Sequence, residues 1–338
     1  MNGKISKRVG NQGNSMRILG IDARGLESSS GAGIAHAARE LIDAMRMYAG
    51  DYGIELKLYR ERMSGLELRL ALRRDGVNHV FVPAGSVSPF LRGVLYPWVH
   101  DVAIFWHPEW FPQSWVKRLF TTRMFLFGIK RARHVFAVSH ETARAIREFV
   151  FLAEQDVTVT YQGANVGPLQ WDRVDPPYVL ALGSVEPRKN LVFIDTLWPR
   201  VLARVPHARL IVAGREGWGD VQLKHAERIL TFDDARRDQL LIGASALILP
   251  SLYEGFGRTV LEAMSLGVPV IASDRGAIPE VVGKAGILLS PADINGWVTA
   301  MTLALKGELD GSIGIERSQL FSWESTARLI LAKIQKTW

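Results

Sequence analysis

Two glutamates flank a glycine-containing turn in the second half of the sequence. Residues 250–264 read Pro-Ser-Leu-Tyr-Glu-Gly-Phe-Gly-Arg-Thr-Val-Leu-Glu-Ala-Met, which places Gly255, Phe256 and Gly257 between Glu254 and Glu262. A helix that begins at this turn would present free amide groups and the positive end of its dipole, and both favour anions or hydroxyl groups. Glu254 could then reach a ligand from the loop, and Glu262 could accept hydrogen bonds from a vicinal diol such as a ribose. An ordinary helix start with a solvated glutamate is equally compatible with the pattern.

Two adjacent cations form a second candidate site. Residues 183–190 read Gly-Ser-Val-Glu-Pro-Arg-Lys-Asn, in which Pro187 prevents regular strand pairing before the predicted helix Leu191–Leu202. Arg188 can donate two hydrogen bonds to phosphate oxygens, and Lys189 adds a point charge. The pair therefore suits a pyrophosphate, although an isolated pair of cations is more often simply solvated.

Apolar β-branched runs alternate with amphipathic helical patterns along the whole chain, which is typical of parallel sheets covered by helices on both faces. The predicted strands of a first sheet are Arg17–Asp22, Ile54–Tyr59, His79–Pro83, Val94–His100, His134–Val138 and Val157–Tyr161. Those of a second sheet are Tyr178–Gly183, Arg209–Ala213, Arg228–Thr231, Ala246–Pro250, Pro269–Ser273 and Gly286–Leu289. Such sheets bind ligands at the carboxyl ends of their strands, and both candidate sites follow predicted strands. We therefore expect an α/β fold with two doubly wound domains.

The domain boundaries follow from the composition of the connecting segments. The stretch from Gly163 to Pro177 is rich in Gly and Pro and is predicted to be a linker. Residues 1–15 are polar and glycine-rich and are expected to form a flexible tail, residues 16–170 the first domain and residues 171–320 the second. Residues 321–338 predict a last helix that packs back towards the first domain.

The composition excludes several classes of protein. The 338 residues are 48% hydrophobic and 22% charged, which suits two cores and excludes a disordered chain. No uncharged apolar run reaches the roughly 18 residues that span a bilayer, and no secretory signal is recognisable at the N-terminus. Cysteine is absent, so neither disulfides nor thiolate metal sites are expected. These features indicate a cytoplasmic protein.

The order of these motifs resembles that of the family-4 retaining glycosyltransferases, which have the GT-B fold. The likeness lies in Gly-x-x-Glu-Pro-Arg-Lys-Asn, Leu-Pro-Ser-Leu-Tyr-Glu-Gly-Phe-Gly and Leu-Glu-Ala-Met-x-x-Gly-Val-Pro-Val-Ile-Ala-Ser. It covers nearly all of residues 178–297 and continues in Gly276-Ala-Ile-Pro-Glu-Val-Val-Gly and Phe321-Ser-Trp-Glu. It implies two Rossmann-like domains that face each other across a cleft and bind a nucleotide-sugar donor.

The resemblance also implies roles for the residues of the second domain. Glu254 and Glu262 match the family's Glu-x7-Glu motif, in which the first contacts the transferred sugar and the second the ribose. Arg188 and Lys189 match the basic pair that holds the diphosphate and stabilises the departing charge. The backbone amides of Gly255, Phe256 and Gly257 would donate hydrogen bonds beside the nucleotide-sugar.

Three further residues, Ser184, Gly214 and Gly33, are assigned to the donor through the same resemblance, and Arg258 is singled out because it departs from the family pattern. Ser184 and Gly214 would lie near the phosphates and the base. Arg258 replaces the apolar residue that is commoner there and could contact the donor or the acceptor at the mouth of the helix. Gly33, in Gly31-Ala-Gly-Ile, matches a glycine loop that touches the diphosphate, although Gly-x-Gly-x-x-His without a following acid departs from a dinucleotide fingerprint.

His100-Asp101, at the end of a predicted strand, is similar to the family's His-Asp pair, in which the histidine approaches the donor sugar. Without the resemblance, a lone histidine is more often structural. The sequence contains no Asp-x-Asp triplet and no recognisable cluster of metal ligands. The resemblance therefore implies retaining transfer without a metal ion or other cofactor, in which the donor β-phosphate helps to remove the acceptor proton. Its family-level expectation is a hexosyl transfer, such as mannosyl transfer, to a glycan or lipid-linked acceptor in cell-surface polysaccharide synthesis.

The net charge of +7 lies entirely in the first half, where residues 1–170 hold 22 Lys and Arg against 15 Asp and Glu. Aromatic residues and cations are interleaved between Trp106 and Arg133, and a helix there could place Leu119, Phe120, Met124 and Phe127 on one apolar side. This pattern suits peripheral contact with the inner face of an anionic membrane. A core-facing helix with a solvated basic side is the ordinary alternative.

Three other functions remain open from the sequence. A related nucleotide-sugar enzyme such as an epimerase would share the architecture, but the two motifs together favour transfer. A non-catalytic subunit would be expected to lose the glutamates and cations that are retained here. Nucleic-acid binding would explain the basic half, yet no recognised nucleic-acid-binding motif is present, and we expect no nucleic-acid partner.

Overall fold

The computed structural model describes residues 16–24, 26, 32–60, 63–85, 87–164, 172 and 174–338. Its described part contains two six-stranded sheets, and every strand pair in them is parallel. The predicted α/β architecture with two doubly wound sheets is therefore confirmed.

The first sheet has the strand order β2-β1-β3-β4-β5-β6. Its strands are β1 (Arg17–Asp22), β2 (Ile54–Tyr59), β3 (His79–Val82), β4 (Val94–Val99), β5 (Val135–Ala137) and β6 (Val157–Val159). The helices of this half are α1 (Ala32–Tyr48), α2 (Gly65–Arg74), α3 (Ala103–Trp106), α4 (Trp115–Lys130) and α5 (His140–Val150).

The second sheet has the strand order β12-β11-β10-β7-β8-β9. Its strands are β7 (Tyr178–Leu182), β8 (Arg209–Ala213), β9 (Glu227–Ile229), β10 (Ala246–Leu249), β11 (Val270–Ser273) and β12 (Ile287–Leu289). The helices are α6 (Leu191–Leu202), α7 (Asp234–Ile242), α8 (Arg258–Ser265), α9 (Ile278–Val282), α10 (Ile294–Lys306), α11 (Ser312–Ser318) and α12 (Trp323–Gln335).

The second sheet reverses its strand order between β7 and β10. β7 is buried along its whole length, as expected for a parallel strand with helices on both faces. At a reversal of this kind the loops that follow the two strands leave in opposite directions and open a crevice at the carboxyl ends. The loops after β7 and β10 carry the two motifs singled out from the sequence, so the topology places both motifs at one crevice.

The last helix, α12, lies against the N-terminal half. It packs on α1, Arg328 forms an ion pair with Asp51 at 3.0 Å, and Thr326 donates a hydrogen bond to the carbonyl of Tyr161. Buried apolar residues of both sheets and of α12 form one continuous core cluster. The chain thus returns to its first half after completing the second sheet. Within the described residues, no helix has the length and apolar character that crossing a bilayer requires.

Candidate functional site

Arg188, Lys189 and Glu254 form one cluster at the carboxyl ends of β7 and β10. The Nη1 atom of Arg188 lies 3.0 Å from Oε2 of Glu254, and Nζ of Lys189 lies 2.6 Å from Oε1 of the same carboxylate. The loop backbone joins the cluster, since Arg188 also donates to the carbonyl of Tyr253 at 2.7 Å. Three of the four residues expected to share a crevice are therefore in direct contact.

The turn before α6 presents the two cations. Residues Pro187–Lys189 form a single 3-10 turn, and Asn190 follows in the left-handed conformation with φ of 54°. Asparagine tolerates this conformation better than most residues. The chain can thus turn from the cationic loop directly into α6 while both cations face the loop after β10.

Neighbouring side chains hold the cluster in place. Glu186, which is almost fully buried, accepts hydrogen bonds from Nε of Arg188 at 3.0 Å and from Oγ of Ser184 at 3.1 Å. Ser251 donates to Oε1 of Glu254 at 2.7 Å. The sequence analysis did not single out Glu186 or Ser251, although Glu186 lies inside the motif that contains Arg188. The guanidinium of Arg188 is therefore held by two carboxylates, those of Glu186 and Glu254.

The charges of the cluster depend on one another. Burial raises the pKa of Glu254, but the nearby charges of Lys189 and Arg188 outweigh this effect and lower it to about 2. Burial also lowers the pKa of Arg188, and the charges of Glu254, Asp101 and Glu186 reverse this and raise it. Glu254 is thus an anion at neutral pH, a hydrogen-bond acceptor rather than a proton donor.

The glycine turn lies directly against the N-terminal half. A Cβ atom on Gly255 would lie 2.0 Å from the carbonyl oxygen of His100, so only glycine fits this close approach. The carbonyl of Gly255 accepts hydrogen bonds from Ser139 at 2.7 Å and from Thr142 at 3.1 Å, and both belong to the start of α5. The two halves therefore meet at the turn that carries Glu254.

The same turn starts α8. Gly257 has φ of 101°, a conformation that favours glycine, and α8 begins at the next residue. The amide groups of Gly255, Phe256 and Gly257 donate to no other atom in the described part of the chain. The three residues are buried at the start of α8, and the donation of their amide groups to a ligand stays a prediction. The ring of Phe256 is buried and packs near Tyr161 and Phe321 rather than facing open solvent.

His100 is held inside the N-terminal half. Its Nε2 atom lies 2.7 Å from the carbonyl of Pro83, its Nδ1 atom lies 3.1 Å from Nε2 of Gln162, and its ring packs edge-on against Trp98. Burial lowers the pKa of His100 to about 4, so the ring is neutral at pH 7. One of these hydrogen bonds must break before His100 can bind a sugar, and the predicted catalytic role stays a prediction.

Asp101, the residue next to His100, faces the cluster more directly. Burial raises its pKa, while the charges of Arg188 and Lys189 act in the opposite direction. Its carboxylate accepts a hydrogen bond from the amide of Ala103. The sequence analysis quoted Asp101 only as part of a pair, because nothing in the local pattern shows which of the two side chains faces the second half.

Glu262 takes part in a second ion-pair cluster, between α8 and α1. The Nη2 atom of Arg258 lies 3.1 Å from Oε1 of Glu262 and 2.8 Å from Oε2 of Glu40. His36 lies 3.4 Å from the other oxygen of Glu40. Arg258 therefore joins the predicted ribose ligand to a helix of the opposite half. The sequence analysis missed Glu40, because its distance from Glu262 depends on how the two halves pack.

The remaining predicted donor residues lie at the edges of this region. Gly33 is an exposed residue in the first turn of α1, and a Cβ atom there would meet no other atom within 4 Å. The glycine loop predicted at Gly31 falls outside the described residues. A Cβ atom on Gly214 would lie 1.8 Å from the carbonyl oxygen of Gly183, so Gly214 supports the loop that carries Ser184.

Glu280 makes a further contact between the two halves that the sequence did not indicate. Its carboxylate accepts hydrogen bonds from the amides of His140 at 3.0 Å and Glu141 at 3.4 Å, at the start of α5. A carboxylate at this position interacts favourably with the positive end of the dipole of α5. Burial raises the pKa of Glu280, and the amides of His140 and Glu141 oppose that rise. In the described part of the chain, no group of three or more His, Asp and Glu residues is placed to hold a metal ion.

Comparison with known proteins identifies the family of the second half and several relatives of the chain. Residues 176–306 match the family model described as Glycosyl transferases group 1. The O-antigen chain mannosyltransferase B of Escherichia coli is 30% identical over 67% of this chain and 66% of its own length. The O-antigen chain mannosyltransferase RfbU of Salmonella typhimurium is 27% identical over 69% of this chain and 67% of its own length. The aligned region thus spans about two thirds of each relative.

A solved structure shares the fold at low sequence identity. The crystal structure of Anabaena HepE in complex with UDP and glucose superposes with a TM-score of 0.68, at 17% identity, over 95% of this chain and all of that chain. The predicted GT-B arrangement of two Rossmann-like domains is therefore confirmed. The chain belongs to the family-4-like glycosyltransferases of the GT-B fold and carries their Glycosyl transferases group 1 domain at residues 176–306.

Proposed function

We propose that this protein transfers a hexose, with mannose as the first candidate, from a nucleoside-diphosphate sugar to a glycan or lipid-linked acceptor of a cell-surface polysaccharide. The contact of Arg188 and Lys189 with Glu254 at the β7–β10 crevice carries the proposal. Two partly buried cations beside a buried carboxylate fit a diphosphate linked to a hydroxyl-rich sugar. The names of the two relatives, both O-antigen chain mannosyltransferases, support mannose and a polysaccharide product.

The proposed donor position follows from the geometry of the loops. The diphosphate lies between the two cations and the free amides of the glycine turn, where fixed donors stabilise negative charge. Glu254, an anion at neutral pH, accepts hydrogen bonds from hydroxyl groups of the transferred sugar. Glu262 accepts from the ribose, and Arg258 keeps its carboxylate oriented from the side of α1. Ser184 and Gly214 shape the loop around the phosphates.

In the proposed reaction, the anomeric carbon loses its bond to the β-phosphate and gains a bond to the acceptor oxygen on the same face. The acceptor proton passes to a β-phosphate oxygen of the departing nucleotide. Arg188 and Lys189 stabilise the growing charge on that phosphate, in place of a metal ion. The anomeric configuration of the donor is therefore retained in the product.

The test combines the enzyme with mannose donors that differ in their base, a lipid-linked glycan acceptor and an excess of EDTA. We expect one donor to be consumed, and NMR of the product to show the anomeric configuration of that donor. A product of inverted configuration would contradict the retaining mechanism. Activity that disappears in EDTA and returns with a divalent cation would contradict metal independence.

A further inference from the structure

Helix α4 carries large apolar side chains that no other part of the described structure covers. Trp115 is 71% exposed and Phe120 is 65% exposed, and three further apolar residues of the same helix are exposed: Val116, Leu119 and Phe127. Isolated exposed apolar residues are ordinary on a protein surface, but five on one helix of sixteen residues are unusual, and the i, i+3, i+4 spacing of Val116, Leu119 and Phe120 makes these three neighbours on the helix surface. A patch of this kind indicates a binding surface.

Unpaired cations accompany this patch. Residues 110–140 contain six Lys and Arg residues and no Asp or Glu. Lys117, Arg118, Arg123 and Lys130 are exposed, and none of them forms an ion pair with a residue that the structure describes. We call the five apolar residues and these four cations the α4 surface. Its charge is available to an anionic partner.

A cavity of about 380 Å³ adjoins the α4 surface. Its lining includes Phe105, Pro108, Trp115, Leu119 and Phe149, with Arg118 as the single charged side chain among them. An apolar cavity beside an arginine fits a molecule with an apolar chain and an anionic group. Phospholipids have both features, whereas a nucleic acid lacks the apolar chain.

The cavity beside the α4 surface lies close to the loop that carries Glu254. Pro108 follows His107, whose ring centre is 6.3 Å from that of Tyr253, the residue before Glu254. The carbonyl of Trp110 accepts a hydrogen bond from the indole of Trp218 at 2.6 Å, so this segment also contacts the second half. A partner that rests on the α4 surface is therefore next to the crevice.

We propose that the α4 surface binds the face of a bilayer that contains anionic phospholipid. Trp115 and Phe120 enter the interfacial region, where aromatic rings are favoured, and the four cations meet the phosphate groups. The charge complementarity selects this occupant, because phosphates on a bilayer form a broad anionic plane, and the four exposed cations of α4 have no carboxylate partner among the described residues. If the proposed function holds, the same contact brings a lipid-linked acceptor to the crevice. The binding itself does not depend on the reaction.

The test is cosedimentation of the purified full-length protein with vesicles of neutral phosphatidylcholine, alone or with phosphatidylglycerol, in the absence of any sugar nucleotide. We expect binding to the anionic vesicles that weakens as salt is added, because salt screens exposed charges. Lys117→Gln with Arg118→Gln is expected to lower the partition coefficient about 25-fold, at roughly fivefold per cation near the surface. Arg200→Gln with Arg204→Gln is the control, because it removes the same charge from an exposed site of the second half. We expect it to change the partition coefficient little.

A second pair of variants separates apolar insertion from charge. Trp115→Ser with Phe120→Ser should weaken binding, while Ile313→Ser with Leu320→Ser, at exposed apolar positions of the second half, should not. All four positions are exposed, so the folded state is expected to survive, and circular dichroism checks this. Failure of the wild-type protein to bind anionic vesicles at low salt would overturn the proposal. Equal losses of vesicle binding in the control variants would also overturn it. So would a single-stranded oligonucleotide that displaces the protein from the vesicles and whose own binding requires the same residues of α4. None of these outcomes bears on the sugar-transfer reaction.

Discussion

The cations of the Arg188–Lys189 turn and those of α4 have opposite environments. In the second half, Arg188 and Lys189 are largely buried and both contact Glu254. In the first half, the cations of α4 are exposed and have no carboxylate partner among the described residues. A buried, paired cation has a fixed direction and suits one ligand of defined shape, whereas an exposed, unpaired cation suits a broad anionic surface. The difference indicates that the second half is preorganised for a small anionic donor and the first half for an extended partner.

The largest expected effect comes from breaking the buried pair. Arg188→Ala is predicted to lower kcat by roughly 10²- to 10³-fold, the loss expected when a donor to developing negative charge is removed. Steady-state kinetics with the identified donor would measure it. Arg209→Ala is the control, because Arg209 forms an ion pair with Glu227 in the same half but on a more exposed site. A change in KM alone would show that Arg188 binds the substrate and transition state equally well.

The contact between the two halves is expected to rank next. In Gly255→Ala the new methyl group would overlap the carbonyl oxygen of His100, so the halves must move apart. A displacement of about 1 Å at a catalytic site can cost about 100-fold in rate. Gly50→Ala, at an open position of the first half, is the control. Unchanged activity in Gly255→Ala would mean that this close approach is not needed for turnover.

A smaller effect is expected from the Arg258 cluster. Glu40→Gln leaves Arg258 with Glu262 as its charged partner, and we predict an increase of about tenfold in the donor KM with little change in kcat. That loss corresponds to roughly 1.4 kcal/mol, typical of one hydrogen bond to a charged group. Asp43→Asn, on the exposed side of the same helix, serves as the control. A fall in kcat at constant KM would assign Glu40 a role in the reaction rather than in binding.

The pH dependence of stability should also differ between the halves. In the second half, Glu254 has its pKa lowered from 4.5 to about 2, so its contribution to the free energy of unfolding is present above pH 4.5 and is lost as the pH falls towards 2. In the first half, burial lowers the pKa of His134 from 6.5 to about 4, so its contribution is present above pH 6.5 and is lost as the pH falls towards 4.

Urea unfolding as a function of pH measures both contributions. Glu254→Gln should flatten the curve below pH 4.5, and His134→Gln should flatten it between pH 6.5 and 4. His207→Gln, at an exposed position, should leave it unchanged. Parallel curves for His134→Gln and the wild-type protein would show that the buried ring does not resist protonation.

Local patterns in the sequence predicted most of the fold. The bounds of β1, β2 and β8 agree with the predicted strands, because each carries a continuous or alternating set of apolar residues over five or six positions. Several other strands end one or two residues earlier than predicted. His100, Gly183 and Pro250 were assigned to strands but belong to the loops that follow them, where the site is built. Gly183 and Pro250 are residue types that end strands, so a local signal was present there, whereas nothing in the local pattern marks His100 as the residue after β4.

The site was predictable only as far as its residues lie in recognisable motifs. Glu254, Arg188 and Lys189 were found this way, and their contact follows from the adjacent positions of β7 and β10. Asp101 was named only as the partner of His100, and Glu280 was given no role, because both face residues of the other half and the packing of the halves is not encoded in a local pattern. The internal hydrogen bonds of His100 involve Pro83 and Gln162, which are far from it in the sequence.

The claim that the buried cluster binds a diphosphate-linked sugar has one direct test. Isothermal titration of the wild-type protein and of Arg188→Ala with a panel of nucleoside-diphosphate sugars, in EDTA, measures donor binding without the acceptor. We predict that one donor binds the wild-type protein in EDTA and that Arg188→Ala weakens its binding at least about tenfold, as expected for the loss of a charge-assisted pair. Equal affinity of that donor for both proteins would contradict the account.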